Sequence, residues 1–196
     1  MTLPAVILAG GAARRMGGGD KGLLPLGSGT VLSSVAARLA PQAGALALNA
    51  NGDPARFAAL GLPVLPDTVA GRPGPLAGVL AAMRWAGAAG AGRVATAAAD
   101  TPFLPADLVA RLSAGGGGIV IASAPDPERG TARHPVFALW PVALANALEA
   151  ALSGGVRKVL AFADAQGWDE ARFPDGAAFF NVNTPGDLEE ARRRCG

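Results

Sequence analysis

Short apolar runs alternate with amphipathic stretches along most of the chain. The apolar runs predict strands at residues 5–9, 45–49, 63–65, 94–99, 119–123 and 136–139. The stretches between them predict helices near residues 30–39, 54–60, 76–86, 105–112 and 141–152, with a further helix at 154–166. Nearly continuous apolar strands that alternate with helices are typical of a parallel sheet covered on both faces. The pattern therefore predicts an α/β fold.

The end of the chain has a different pattern. The residues Phe-Phe-Asn-Val-Asn at 179–183 predict a short strand. Thr184 is a suitable N-cap, and Pro185 occupies the first position of a helix that ends in the arginines at 192–194. No internal repeat or interdomain linker interrupts the pattern, so we expect residues 1–196 to form a single domain.

Composition supports a large core and excludes several classes of protein. The chain is 51% hydrophobic, with a net charge of only +2, which does not favour a nucleic-acid partner. Cys195 is the single cysteine, so no internal disulfide can form and a reducing compartment is expected. No stretch approaches the roughly 18 apolar residues of a membrane span. We expect a cytoplasmic protein with no membrane partner.

A glycine-rich, cationic stretch follows the first predicted strand, at residues 8–22: LAGGAARRMGGGDKG. Gly17, Gly19 and Gly22 satisfy the G-x-G-x-x-G pattern of dinucleotide-binding turns. However, that fingerprint must follow its strand directly and needs an acidic residue about 20 positions later. The glycines begin eight residues after Ala9, and no Asp or Glu lies between Asp20 and Asp53. A dinucleotide-binding turn is therefore rejected.

The same stretch also fails as a P-loop, because Lys21 is not followed by Ser or Thr. A bare glycine cluster is often only a flexible loop. Here, however, Arg14, Arg15 and Lys21 bring three cations to the carboxyl edge of a predicted parallel sheet, where open α/β sheets bind ligands. Glycine also lets backbone N–H groups approach oxyanions closely. We interpret the stretch as a triphosphate-binding loop.

The pattern L-A-G-G-x-A-x-R-M-G-G-x-D-K-x-L at residues 8–23 resembles the signature loop of the molybdenum cofactor guanylyltransferases, within the wider nucleotidyltransferase superfamily. The resemblance continues in order along the chain with Asn-Ala-Asn at 49–51, Pro-Asp at 66–67, Gly-Pro-Leu-Ala-Gly at 74–78, Asp-Thr-Pro at 100–102 and Asn-Val-Asn-Thr-Pro at 181–185. It implies a three-layer α/β/α, Rossmann-like nucleotidyltransferase fold with a mostly parallel central sheet.

The resemblance also implies roles for individual residues. Arg15, Lys21 and Asp100 match its catalytic positions, and Asp100 matches its metal ligand. The expected GTP-binding residues are Leu8, Ala9, Gly10, Gly11, Lys21, Asn49, Asp67 and Asp100. Candidates for the second substrate or the surroundings of the metal are Gly78, Arg133, Asn181 and Asn183.

The acidic residues can also be interpreted without the resemblance. Asp100 ends a predicted strand, where it would either cap the following helix or hold a cation beside a triphosphate. Since a carboxylate repels phosphates, the second role needs a divalent ion, and Mg²⁺ binds one or two carboxylates together with phosphate oxygens and water. Asp67 is either a solvated turn residue or an acceptor for the paired N–H donors of guanine. Asn49 either caps a turn or contacts the nucleotide.

Four other polar positions each allow two interpretations. Asn181 and Asn183 alternate on the predicted strand, so they would share one face, either as part of a polar edge or near the metal. His134, with Arg133, would either contact an anionic pterin or serve a structural role.

The implied reaction transfers GMP from GTP to the terminal phosphate of molybdenum-molybdopterin and releases pyrophosphate. The alternatives are a cytidylyltransferase, a sugar- or polyol-phosphate nucleotidyltransferase, and a non-catalytic module that binds and delivers a nucleotide or cofactor. The first loop reads LAGG rather than LAAG, which favours GTP within the resemblance. Expected partners beyond the two substrates are cofactor-delivery proteins or molybdoenzyme chaperones.

Overall fold

Seven strands form one central sheet in the computed structural model, which describes residues 3–10, 21–69 and 74–195. These strands are β1 (Pro4–Leu8), β4 (Ala45–Asn49), β5 (Val64–Leu65), β6 (Arg93–Ala98), β7 (Ile119–Asp126), β8 (Gly130–Pro141) and β9 (Trp168–Arg172). Two short strands, β2 (Pro25–Leu26) and β3 (Gly29–Thr30), form a separate antiparallel hairpin.

The sheet has the order β5-β4-β1-β6-β8-β7-β9. The pairs β4–β5, β1–β4, β1–β6 and β7–β9 are parallel, whereas β8 runs antiparallel to both β6 and β7. The carboxyl ends of the parallel strands and the beginning of β8 therefore meet at one edge of the sheet. Loops at such an edge are where open α/β sheets bind their ligands.

Helices cover both faces of the sheet. They are α1 (Val31–Leu39), α2 (Pro75–Ala88), α3 (Leu108–Ser113), α4 (Ala145–Ser153) and α5 (Val159–Gln166). A sixth helix, α6 (Pro185–Cys195), packs beside β2 in a separate small cluster. Short 3₁₀ helices lie at Lys21–Leu23, Ala40–Gln42, Pro54–Leu60, Val142–Leu144 and Gly176–Phe179. Helices α1 and α3 pack in one hydrophobic cluster, and α2, α4 and α5 pack in another.

Strand β1 shows why the sheet requires both layers. Ala5 and Ile7 point into the cluster of α1 and α3, while Val6 and Leu8 point into the cluster of α2 and α4. Successive side chains of a strand face opposite sides, so a strand that is apolar at every position must be covered twice. The predicted three-layer α/β/α architecture is confirmed. No helix within the described residues is long and apolar enough to cross a membrane.

The sequence pattern was wrong or incomplete at several elements. The predicted strand at 179–183 is instead the end of a 3₁₀ helix followed by irregular chain. The predicted helices at 54–60 and 154–166 are a 3₁₀ helix and a shorter helix that begins at Val159. Strand β8 begins at Gly130 rather than 136, and β9 was not predicted.

The irregular chain at 180–183 has a local cause. The backbone N–H groups of Asn183 and Thr184 both donate to Asp187 Oδ2, at 2.9 and 2.8 Å. Thr184 Oγ1 accepts in turn from the Asp187 N–H at 3.1 Å, so Thr184 caps α6 as predicted. This reciprocal cap occupies backbone donors that a strand ladder would need.

A buried threonine holds β8 beside β6. Thr96 Oγ1 donates to the carbonyl of Val136 at 2.7 Å and accepts from Trp140 Nε1 at 2.9 Å. Val136 lies in a bulge of β8, because Ile121 pairs with Ala138 while the next residue, Ala122, pairs with His134. Thr96 therefore stabilises the bulge that carries residues 135–137 to the ligand-binding edge.

Replacing Thr96 by valine is expected to destabilise the protein by about 1–3 kcal/mol, because the buried Trp140 N–H loses its acceptor while the volume changes little. Denaturant unfolding, compared with a Ser153→Ala control that loses only an exposed hydroxyl bond to Glu149, measures the effect. Equal stability of wild type and T96V would contradict this role.

Candidate active site

A cavity of about 530 Å³ opens at the carboxyl edge of the sheet. Its walls come from the residues that follow β1, β4, β5 and β6, from the start of α2, from the bulge of β8, and from the irregular segment before α6. The predicted site residues on these walls are Leu8, Ala9, Gly10, Lys21, Asn49, Asp67, Asp100, Arg133, Asn181 and Asn183. A cavity of this size suits one ligand the size of a nucleotide.

One wall carries a hydrogen-bonded group of two asparagines and an aspartate. Asn49 Nδ2 donates to Asp67 Oδ1 at 3.0 Å and to the carbonyl of Leu65 at 3.0 Å. Asn51 Nδ2 donates to Asp67 Oδ2 at 2.7 Å, and its Oδ1 accepts from the Asp67 N–H at 2.9 Å. Each carboxylate oxygen thus accepts one amide hydrogen and keeps a further lone pair for a ligand. The group is held rigidly before any ligand binds.

Two glycines lie against Asn49, which is 2% exposed, and one of them, Gly78, leaves room for its side chain. A Cβ at Gly10 would lie 3.4 Å from Asn49 Oδ1, and a Cβ at Gly78 would overlap that same oxygen. Gly78 lies in α2 behind Asn49 and is itself buried. Its position therefore matters for the orientation of Asn49.

Substituting Gly78 by alanine is expected to displace Asn49 and to raise the Kd for nucleotide by roughly tenfold, which corresponds to the loss of about one good hydrogen bond. Nucleotide affinity measured by calorimetry checks this expectation. Gly92→Ala serves as the control, since a Cβ at Gly92 meets nothing within 4 Å. Unchanged nucleotide affinity in G78A would show that Asn49 does not depend on this glycine.

Asp100 follows β6 and is largely shielded from solvent. Burial raises the pKa of this carboxyl, and its own backbone N–H, Lys21 and Thr101 offset part of that rise. Thr101 is fully buried, and its Oγ1 donates to Asn181 Oδ1 at 2.5 Å. The Asp100 carbonyl accepts from the Val182 N–H at 2.8 Å. The segment before α6 therefore fixes the turn that carries Asp100.

Lys21 is positioned by the same segment. Its Nζ donates a hydrogen bond to Asn183 Oδ1 at 3.0 Å. The backbone of Asn183 is fixed in turn by Asp187, whose pKa is lowered first by that N–H and also by Thr184 and Lys21. An ammonium has three donors, so Lys21 can still donate to phosphate oxygens in the cavity.

The bulge of β8 forms the opposite wall. The His134 ring stacks on Phe179 with centroids 4.1 Å apart and an interplanar angle of 7°. Burial lowers the pKa of His134, and Asp126 partly offsets this. The buried Phe179 also meets the edges of Phe137 and Phe173. His134 therefore packs in the wall of the cavity, which agrees with the structural one of its two predicted roles.

The structure brings most of the predicted site residues to one cavity. Asn181 and Asn183 both reach it although they are not on a strand. Gly11 and Arg15 lie outside the described residues. Thr101 and Asn51 are polar residues of the site that the predicted set did not include. The Asp-Thr-Pro and Asn-Ala-Asn motifs were the available signals for them.

The donor set of the cavity suits a magnesium-like cation. Among the residues that the structure describes, no group of three or more His, Cys, Asp or Glu side chains is arranged to hold a metal. Asp100 offers one carboxylate, and a hard divalent cation is often held by one or two carboxylates together with ligand oxygens and water. A buried carboxylate whose charge is disfavoured also gains from a nearby cation.

Known proteins of similar sequence identify the family of this chain. Residues 5–169 match the family described as the MobA-like NTP transferase domain. The chain belongs to this family. A molybdenum cofactor guanylyltransferase from Cereibacter sphaeroides is 52% identical to this MobA-like NTP transferase over 97% of the chain and 96% of the relative. A relative of the same name from Mesorhizobium japonicum is 50% identical over 97% and 95%. The protein is a nucleotidyltransferase, as the sequence predicted.

Solved structures share the fold. Molybdopterin-guanine dinucleotide biosynthesis protein A from Archaeoglobus fulgidus has a TM-score of 0.74 and 24% identity, and the match covers 98% of each chain. A 2-C-methyl-D-erythritol 4-phosphate cytidylyltransferase from Thermus thermophilus has a TM-score of 0.73 and 21% identity, over 99% of this MobA-like NTP transferase and 98% of that chain. The predicted Rossmann-like nucleotidyltransferase fold is confirmed.

Proposed function

We propose that the protein transfers GMP from GTP to the terminal phosphate of molybdenum-molybdopterin, giving the guanine dinucleotide cofactor and pyrophosphate. The observation that carries this proposal is the juxtaposition of Lys21, Asp100 and the Asn49–Asp67 group in one nucleotide-sized cavity. The curated relatives at 50% and 52% identity are named for this guanylyl transfer, which supports the choice of substrates.

The base and sugar of the nucleotide are assigned to the wall of Asn49 and Asp67. Adjacent N1–H and N2–H donors of guanine match the lone pairs that Asp67 keeps beside its bonds to Asn49 and Asn51. Cytosine has no such adjacent pair of donors. Gly10 lines the cavity next to this wall.

The phosphates are assigned to Lys21, the loop glycines and Arg15. The acceptor phosphate attacks the α-phosphate of GTP, and the bond to the pyrophosphate leaving group breaks. Both reactants are anions, so the main tasks are neutralising charge and holding the groups in line. Lys21, oriented by Asn183, contacts oxygens near the reacting phosphorus. Since the acceptor phosphate is already ionised at neutral pH, the reaction needs no general base.

Asp100 is assigned as the ligand of Mg²⁺. When bound there, the ion supplies charge neutralisation between the α-phosphate and the carboxylate, as a Lewis acid. The Thr101–Asn181 bond and the Val182–Asp100 bond hold the turn that presents this carboxylate. Asn181 therefore acts on the metal site through Thr101.

The test is transfer of the labelled α-phosphate of GTP, as GMP, to the terminal phosphate of molybdenum-molybdopterin, with the product identified by mass. An equimolar amount of CTP added as competitor is expected to lower the yield little. Preferential use of CTP would identify a cytidylyltransferase, and use of a sugar or polyol phosphate would identify another nucleotidyltransferase. Nucleotide binding without pyrophosphate release would identify a delivery module.

Further proposals concern the organisation and surroundings of the enzyme. We propose that residues 1–196 form one nucleotidyltransferase domain, supported by the continuous sheet that spans β1 to β9. A cytoplasmic location is supported by the single exposed cysteine, Cys195. Cofactor-delivery proteins or molybdoenzyme chaperones would receive the product. The low net charge of +2 offers no support for a nucleic-acid partner.

A further inference from the structure

A second cavity, of about 760 Å³, lies beside the nucleotide cavity at the same edge of the sheet. The end of β7, the beginning of β8 and the end of β9 form it. We call it the arginine cavity, because Arg129, Arg133 and Arg172 line it. No residue predicted from the sequence other than Arg133 belongs to it.

The arginine cavity carries an excess of positive charge. Arg172 Nε pairs with Glu170 Oε2 at 2.8 Å, and Arg172, followed by Ser123 and Arg133, lowers the pKa of Glu170. The lining of this cavity therefore includes three guanidinium groups and one carboxylate. Among the described residues, neither Arg129 nor Arg133 forms an ion pair. Such a surface attracts an anion, and planar guanidinium groups can bind oxyanions through paired hydrogen bonds.

Arg133 connects the two cavities, because it lines both. Its guanidinium carbon lies 5.2 Å from the centre of the Trp168 ring, which supports the side chain from one side. The bulge that begins at His134 directs the following residues into the nucleotide cavity. A ligand that extends from one cavity to the other would therefore pass Arg133.

Two substrates require more space than the nucleotide cavity offers. A cavity of about 530 Å³ lies within the range of roughly 300–1,000 Å³ that accommodates a single drug-sized ligand. The acceptor of the proposed reaction is a phosphorylated pterin dithiolene, which is bulky and anionic. Its phosphate must reach the nucleotide, whereas its remaining part needs a separate, positively charged space.

We propose that the arginine cavity binds the pterin-dithiolene part of the acceptor, with Arg129 and Arg172 as acceptor-binding residues and Arg133 at the junction with the nucleotide cavity. This inference rests on the proposed function, since it assumes that acceptor. The planar pterin stacks on a guanidinium face, and the anionic dithiolene end lies among the three positive charges. Arg129 and Arg172 do not line the nucleotide cavity, so nucleotide binding is expected not to involve them.

The double variant Arg129→Ala/Arg172→Ala tests the assignment. Its KM for molybdenum-molybdopterin is expected to rise roughly tenfold or more through the loss of two charge-assisted contacts, with the Kd for GTP unchanged within about twofold. Equilibrium dialysis of metal-free molybdopterin against the protein without GTP measures binding independently of turnover, and the same loss is expected. Arg84→Ala is the control, because it removes an arginine that pairs with Glu149 on α4.

The outcomes separate this inference from the proposed function. If wild type neither binds molybdopterin nor releases pyrophosphate in its presence, the proposed function fails. If wild type is active and the double variant keeps its acceptor KM and Kd, the arginine cavity is not the acceptor site. Equal losses of affinity for GTP and for the acceptor would also overturn the assignment. Thermal melting verifies that the variant is folded.

Discussion

Lys21→Ala is expected to lower kcat by about 10²-fold or more at saturating GTP, because it removes a positioned positive charge from the reacting phosphate. The structure gives this ammonium a defined place through its 3.0 Å bond to Asn183 Oδ1. Single-turnover measurement of pyrophosphate release isolates the chemical step from binding. We expect the KM for GTP to change much less than kcat, since the charge matters most as the leaving group departs.

The Asn183→Ala variant is compared with the lysine variant to separate the charge of Lys21 from its orientation. It leaves the charge in place but removes the acceptor that orients it, so a smaller loss of kcat is expected. Arg84→Ala removes a positive charge far from the cavity and should leave kcat unchanged. Near-normal turnover in K21A would refute a role for Lys21 at the reacting phosphate.

Asp100→Asn is expected to lower activity by roughly 10³-fold, since metal-ion charge stabilisation is worth several kcal/mol and each 1.4 kcal/mol is about tenfold. The same change should leave the metal-free protein as stable as wild type or more so. Burial raises the pKa of Asp100 in the folded state, so its ionised form opposes folding above the unfolded pKa. That cost is complete above the raised pKa, shrinks as the pH falls from the raised pKa to the unfolded pKa, and is absent below the unfolded pKa. Asparagine removes it at every pH.

Activity assays and thermal melting without divalent ions test the two halves of this expectation. Asp107→Asn is the matched control, because Asp107 is an exposed carboxylate that pairs with Arg111. It should keep full activity and show no gain in melting temperature. A large loss of stability in D100N would contradict the inference that the ionised Asp100 carboxylate lowers the stability of the fold. Full activity of D100N would exclude Asp100 as the metal ligand.

The edge-of-sheet residues were predictable because their signal is local. Asn49, Asp67 and Asp100 each come at or just after the end of an apolar strand, and parallel strands bring such ends together. The hydrogen bonds among Asn49, Asn51 and Asp67 were not predictable, because they depend on the pairing of β4 with β5. A pattern along one strand contains no information about its neighbour.

Other features depended on tertiary contacts that the sequence pattern does not reveal. Strand β9 reads Trp-Asp-Glu-Ala-Arg, in which only Ala171 is buried, so it shows no apolar run. The strand predicted at 179–183 failed because Asp187 takes the backbone donors of Asn183 and Thr184. Gly78 matched a motif, but its place behind Asn49 became visible only in the packing of α2 against β4.

Pyrophosphate release from each of the four NTPs with Mg²⁺, measured with and without molybdenum-molybdopterin, tests guanylyl transfer most directly. We expect release that requires the pterin and strongly prefers GTP. Release without the pterin, or equal rates with all four nucleotides, would contradict it.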